Sequence, residues 1–178
     1  VVDEITQARL TLNSVLVGRH IGLACIYLYE LLDAYADPSG EDVEKHFGLF
    51  DSSYRPKLAA DALGRLMKAL EDVETKQSEP APVAYRLEPA PPEVGSLAFR
   101  KSDGTILIAL WDERQVWDSA RFVARQLPPL SIRLAAQDDL SIVMTMDLID
   151  GVARHRPVPG TTAISIELRG NPILVTLR

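Results

Sequence analysis

Two apolar runs, Leu97-Ala98-Phe99-Arg100-Lys101 and Thr105-Ile106-Leu107-Ile108-Ala109-Leu110-Trp111, are separated only by Ser102-Asp103-Gly104. Asp-Gly between such runs supplies the backbone twist of a tight hairpin, so the two must fold back on each other as antiparallel strands. The same grammar continues downstream. Leu130–Leu134 follows Pro128-Pro129, and Leu140, Ile142, Met144, Met146 and Leu148 alternate with more polar neighbours. Asp150-Gly151 then turns the chain. Ile164, Ile166 and Leu168 alternate again, and Ile173, Val175 and Leu177 follow the turn residues Gly170-Asn171-Pro172. Strands at intervals of roughly ten residues, with turn residues between them, predict an antiparallel β-sandwich over residues 83–178. About 95 residues is an ordinary size for such a domain.

The first 74 residues carry a different period. Ile5, Ala8, Leu12, Val15 and Leu16 form one apolar stripe from Asp3 to about Arg19, which predicts a helix with acidic residues at its start. Gly18 and Gly22 bracket its end, and His20 reads as a helix-end residue. Leu23-Ala24-Cys25-Ile26-Tyr27-Leu28-Tyr29 then reads as a buried strand, with Cys25 a small core residue. Residues 34–45 form an acidic loop whose spacing matches no calcium site, and His46–Asp51 is a compact apolar knot. Pro56 marks a second helix start. Its apolar face is Ala59, Ala62, Leu63, Leu66, Met67 and Leu70, and it ends near Val73. Residues 75–82, rich in polar residues and proline, form a linker.

Helix, strand, loop, helix is the order of an α/β barrel, in which the C-terminal end of a strand faces the ligand. That order makes Tyr29, Glu30 and Asp33 the residues nearest a substrate. The expected class is therefore α+β: a helix-strand-helix remnant of a TIM barrel at 1–74, a linker at 75–82 and an antiparallel β-sandwich at 83–178.

The totals exclude several functions. A net charge of −6 argues against general phosphate attraction, so no nucleic-acid partner is expected. No apolar run approaches the roughly 20 residues that span a bilayer. One cysteine permits no internal disulfide and leaves the compartment open. The Val1-Val2-Asp3-Glu4 start has no basic region of a signal peptide and no initiator Met, as expected if the protein is processed or has an upstream segment. No metal site and no cofactor are expected.

Gln7-Ala8, Tyr29-Glu30-Leu31 with Asp33, Phe47-Gly48-Leu49-Phe50, and Pro56-Lys57 with Ala59-Ala60 and Ala62-Leu63 occur in a telling order. Together they resemble the last part of a retaining (β/α)8-barrel glycoside hydrolase of the cellulase and β-xylosidase-like superfamily. Phe99-Arg100-Lys101 with Asp103-Gly104, Ala109-Leu110-Trp111, and Asn171-Pro172-Ile173 look like the sandwich that often follows that barrel. The resemblance implies the seventh helix, eighth strand and eighth helix in the first segment. It implies that Tyr29, or Tyr27 if the register differs by two, is an aromatic platform beneath a sugar. Glu30 and Asp33 leave the same strand end and suit sugar hydrogen bonding rather than in-line chemistry. Retaining hydrolysis needs two carboxyl groups about 5–5.5 Å apart on either side of the bond. In the family these sit on the fourth and seventh strands, which would precede Val1, so no catalytic residue is assigned here.

The resemblance thus implies a C-terminal fragment of a glycoside hydrolase acting on polysaccharide or oligosaccharide, not catalytic alone. Its partners would be the upstream barrel segment of the same enzyme, a carbohydrate substrate or a second copy of itself. Secretion or a periplasmic location is implied by the resemblance only. One alternative is a non-catalytic sandwich that binds carbohydrate or protein, with Trp111 and Trp117 as a platform if both are exposed. Against it, Trp is usually largely buried, which favours Trp111 in the core. The other is a small enzyme built on Glu30 and Asp33, which two helices and one strand can hardly enclose.

Overall fold

A computed structural model describes residues 2–72, 82–136, 140–155 and 157–178. The fold is α+β, with two helices and antiparallel sheets. Helix α1 (Glu4–His20) starts where Asp3 turns back on it. The Asp3 carboxylate accepts from the Thr6 N–H at 2.8 Å and the Thr6 hydroxyl at 2.9 Å, satisfying an orphan donor of the first turn. Helix α2 (Leu58–Leu70) has no side-chain cap of its own from Lys57. Glu4 of α1 supplies one, its carboxylate accepting from the Leu58 N–H at 3.2 Å. The α2 helix begins two residues after Pro56, which instead bridges Phe50.

The strands are β1 (Tyr85–Glu88), β2 (Val94–Arg100), β3 (Ile106–Asp112), β4 (Trp117–Asp118), β5 (Val123–Ala124), β6 (Leu130–Ala136), β7 (Ile142–Asp147), β8 (Ala153–His155), β9 (Ala163–Leu168) and β10 (Ile173–Leu177). Five form one sheet in the order β2-β3-β10-β7-β8, and three form a second in the order β1-β6-β9. The β4-β5 pair is a small separate ribbon. The Asp103-Gly104 turn joins β2 to β3 as expected, with Gly104 at φ +84°. The Gly170 turn, at φ +88°, does not make a hairpin: it carries the chain from β9 in one sheet to β10 in the other.

Alternation along β3 explains why there are three layers. Leu107, Ala109 and Trp111 point to the helices and share a core with Leu12, Leu16, Ala62 and Leu66. Ile106, Ile108 and Leu110 point the other way, into a core with Ile132, Leu134, Ile166 and Leu168 of the smaller sheet. Every residue of β3 is buried. The helices therefore cover one face of the larger sheet, and the smaller sheet covers the other. The two segments separated by the expected linker share a hydrophobic core; residues 73–81 of that linker lie outside the described residues. Gly95 of β2 lets Trp111 lie flat against the backbone, because a Cβ there would meet the indole ring.

Two expectations need correction. Residues 23–29 form no strand but an irregular stretch with bends at Ala24 and Tyr29. Among the described residues, no neighbouring strand offers residues 24–29 a backbone hydrogen bond. Cys25 is exposed rather than in the core, because the segment that carries it runs along the outside of the helix pair.

If the helices and sheet form one cooperative unit, Leu12→Ala should lower stability by ~2–5 kcal/mol, the usual result of emptying a packed leucine site. Leu10→Ala, on the exposed side of the same helix, should change it by less than about 0.5 kcal/mol. Urea melts followed by helix and tryptophan signals should shift together for Leu12→Ala.

Candidate functional site

The residues expected nearest a substrate lie where the chain leaves α1, crosses an irregular stretch and knots itself against the start of α2. The knot comes from a short parallel pairing. Leu49 N–H donates to the Glu30 carbonyl at 3.0 Å, Phe50 N–H to that of Leu31 at 2.9 Å, and Asp33 N–H to that of Phe50 at 3.0 Å. Lys57 N–H closes it by donating to the Leu49 carbonyl at 2.9 Å. From α1, the Gln7 side-chain amide donates to the carbonyls of Gly48 at 3.0 Å and His46 at 3.3 Å.

A buried ion pair sits at the centre of the knot. Asp33 is 5% exposed and Lys57 is 8% exposed. The Lys57 ammonium lies 2.8 Å and 2.6 Å from the two Asp33 carboxylate oxygens and donates to the His46 carbonyl at 3.2 Å. The Gly48 N–H donates to Asp33 at 2.8 Å. Only glycine fits at residue 48, since a Cβ would collide with the Asp33 backbone and carboxylate. Both carboxylate oxygens of Asp33 are thus occupied within the protein. Its place is beneath the surface, where it fixes the backbone that carries Glu30.

Tyr27, Tyr29 and Glu30 stand on the surface side of this knot. Tyr27 is 93% exposed and Tyr29 77% exposed, while Glu30 is half-buried. Tyr29 meets Phe47 edge to face, with ring centroids 6.1 Å apart. Leu23, Leu28 and Leu31 are exposed beside them. The structure therefore brings Tyr29, Glu30 and Asp33 into one small region, with Asp33 below and the tyrosines outside. Lys57 and Phe47 belong to the same region. Sequence spacing gave no sign of the Lys57 partnership, because its partner lies 24 residues away.

The neighbouring loop has its own anchor in Asp37. Its carboxylate accepts from the Asp42 N–H at 2.9 Å and the Ser39 hydroxyl at 2.7 Å, and lies 3.2 Å from His46 Nε2. The backbone N–H of Asp42, with Ser39 and His46 in support, holds this carboxyl far below the usual carboxylate range.

Elsewhere, Trp111 is fully buried, so it cannot form a surface platform with Trp117. Its indole N–H donates to Glu113 at 3.0 Å, and its ring meets that of His20 edge to face. Trp117 is half-buried beside α1. Among the described residues, no group of three or more acidic, histidine or cysteine side chains is placed to hold a metal ion. No helix among them is long and apolar enough to cross a membrane. No protein-family model matches the sequence, and comparison with curated proteins finds no match.

Two outcomes follow from this geometry. Asp33→Asn and Lys57→Met should each cost ~3–5 kcal/mol in chemical unfolding, because each strands a buried polar partner, and the double variant should cost less than the sum. The stability contributed by Asp37 is complete above the unfolded-state carboxylate pKa of about 3.9 and is lost as pH falls toward its depressed folded value. Asp37→Asn should therefore flatten the fall in Tm on acidification below about pH 4, read by calorimetry at a series of pH values.

Proposed function

We propose that this chain is the C-terminal part of a retaining (β/α)8-barrel glycoside hydrolase, supplying the last barrel elements and an accessory sandwich to an active site completed by upstream sequence. The observation that carries this reading is the irregular, unpaired stretch at residues 24–29. Its backbone groups have no backbone partners among the described residues, and its side chains are exposed except that of Ile26, which is half-buried against Gly18. A stretch of this composition is stable as a strand only between neighbours. The knot that follows it is rigidly tied, so its C-terminal end has a fixed position even though its edges are open.

In that setting Tyr29 stacks beneath a sugar ring, with Tyr27 beside it, and Glu30 accepts from sugar hydroxyls. Asp33 is a positioning residue, acting through Lys57 and the Gly48 N–H. The proton transfers and the covalent step belong to carboxylates outside this chain. A carbohydrate-binding sandwich without a barrel is the less favoured alternative, because burial of Trp111 removes its expected platform.

Aryl-glycoside hydrolysis should be absent from the 178-residue chain and present in a polypeptide that joins it to the upstream barrel segment. In that polypeptide, Tyr29→Ala should lower kcat/KM roughly tenfold, equivalent to about 1.4 kcal/mol of transition-state binding. If the longer polypeptide hydrolyses no glycoside, the glycosidase assignment fails. If it does and Tyr29→Ala is silent, the platform role fails.

A further inference from the structure

Two clefts meet at α1, away from the knot. One, of about 440 Å³, is lined by Arg9, Asp147, Arg154, Ser165, Glu167 and Asn171 among others. The other, of about 460 Å³, includes Arg9, Arg125, Gln126 and Arg169 in its lining. Arg9 and Arg169 line both, so the clefts are adjacent. Each lies within the roughly 300–1,000 Å³ range of small-ligand sites. Four arginines from separate parts of the chain converge there, although the protein as a whole carries a net charge of −6.

Three of these arginines have carboxylate partners. Arg154 pairs with Asp147 at 3.2 Å and with Asp150, Arg169 pairs with Glu167 at 2.6 Å, and Arg125 lies 3.8 Å from Asp118. Arg9 differs. Among the described residues it has no carboxylate within 4.0 Å. Its Nε donates to the Asn171 side-chain oxygen at 2.8 Å, and its Nη2 to the Arg169 carbonyl at 3.3 Å. Asn171 is held in turn, its Nδ2 donating to Asp147 at 2.8 Å. The Arg9 guanidinium also lies over Gly170, where a Cβ would approach its Cζ to 3.2 Å. A cation is thus fixed by neutral acceptors at the junction of two clefts, half-buried, with its charge uncompensated at short range. A planar guanidinium held this way matches a carboxylate.

We propose that the double cleft binds an acidic oligosaccharide, with a uronate carboxylate on Arg9 and the flanking sugars toward Arg154 and Arg125. The choice of a saccharide rests on the carbohydrate reading above. The lining also supports it: Glu167 and Ser165 offer acceptors to sugar hydroxyls, whereas two carboxylates in the first cleft disfavour a densely charged phosphate polyanion.

Isothermal titration of the 178-residue chain with trigalacturonate tests this, with a neutral galactose trisaccharide and inorganic phosphate as controls. Saturable trigalacturonate binding that weakens at least tenfold in Arg9→Gln is the expected result. Arg125→Gln, at an exposed residue, should also weaken binding without moving the melting temperature, so a folding defect in Arg9→Gln cannot account for both. No saturable binding, equal binding of the neutral trisaccharide or of phosphate, or indifference to both substitutions overturns the proposal. Absent binding beside active hydrolysis by the longer polypeptide rejects the cleft alone. Binding beside absent hydrolysis rejects the glycosidase assignment alone.

Discussion

Burial of β3 on both faces is the constraint on which the rest of the molecule depends. Its odd-numbered residues Leu107, Ala109 and Trp111 require the helices, and its even-numbered residues Ile106, Ile108 and Leu110 require the smaller sheet. Neither layer can be removed without exposing apolar surface of the central strand. Hydrophobic burial of this kind contributes about 25 cal/mol for each Å² taken from water, so the helices are an integral part of the core. This also fixes α1 in space, and α1 is what both candidate sites share. Gln7 reaches from it to the knot, and Arg9 reaches from it to the double cleft.

The knot between residues 30 and 57 uses a second physical device. Two charges are taken out of water and placed against each other, with the Gly48 N–H and His46 carbonyl completing their shells. A buried pair of this kind adds little net stability, because desolvation offsets attraction, but breaking it is costly. Its effect is to fix one backbone arrangement. That arrangement presents Glu30 half-buried and Tyr29 against Phe47. The polar end of the segment is therefore well determined, while the apolar stretch preceding it is left open.

The sheets were legible because their code is local. Period-two alternation at 142–146 and 164–168, and the Asp103-Gly104 turn, need no information from distant residues. Helix α2 was legible for the same reason. The 23–29 stretch was not, because an apolar run becomes a strand only if another strand lies beside it, and the run itself cannot encode that neighbour. Burial of Cys25 depends on the same neighbour, and Cys25 is exposed. Asp33 was legible as a residue of this region, but its role depends on Lys57, and no spacing rule links those two positions. Arg9 gave no signal at all, since its surroundings come from the turn at Gly170-Asn171, about 160 residues away.

Hydrogen–deuterium exchange at residues 24–29, with light scattering on the same sample, is the most direct measurement. In the monomeric 178-residue chain these amides should exchange at nearly the unprotected rate, while those of β3 and β10 remain protected. Protection should appear at 24–29 when the chain is joined to the barrel segment it is proposed to complete. Slow exchange at 24–29 in a monomer of the chain alone would contradict an open strand awaiting its neighbours, and with it the barrel assignment.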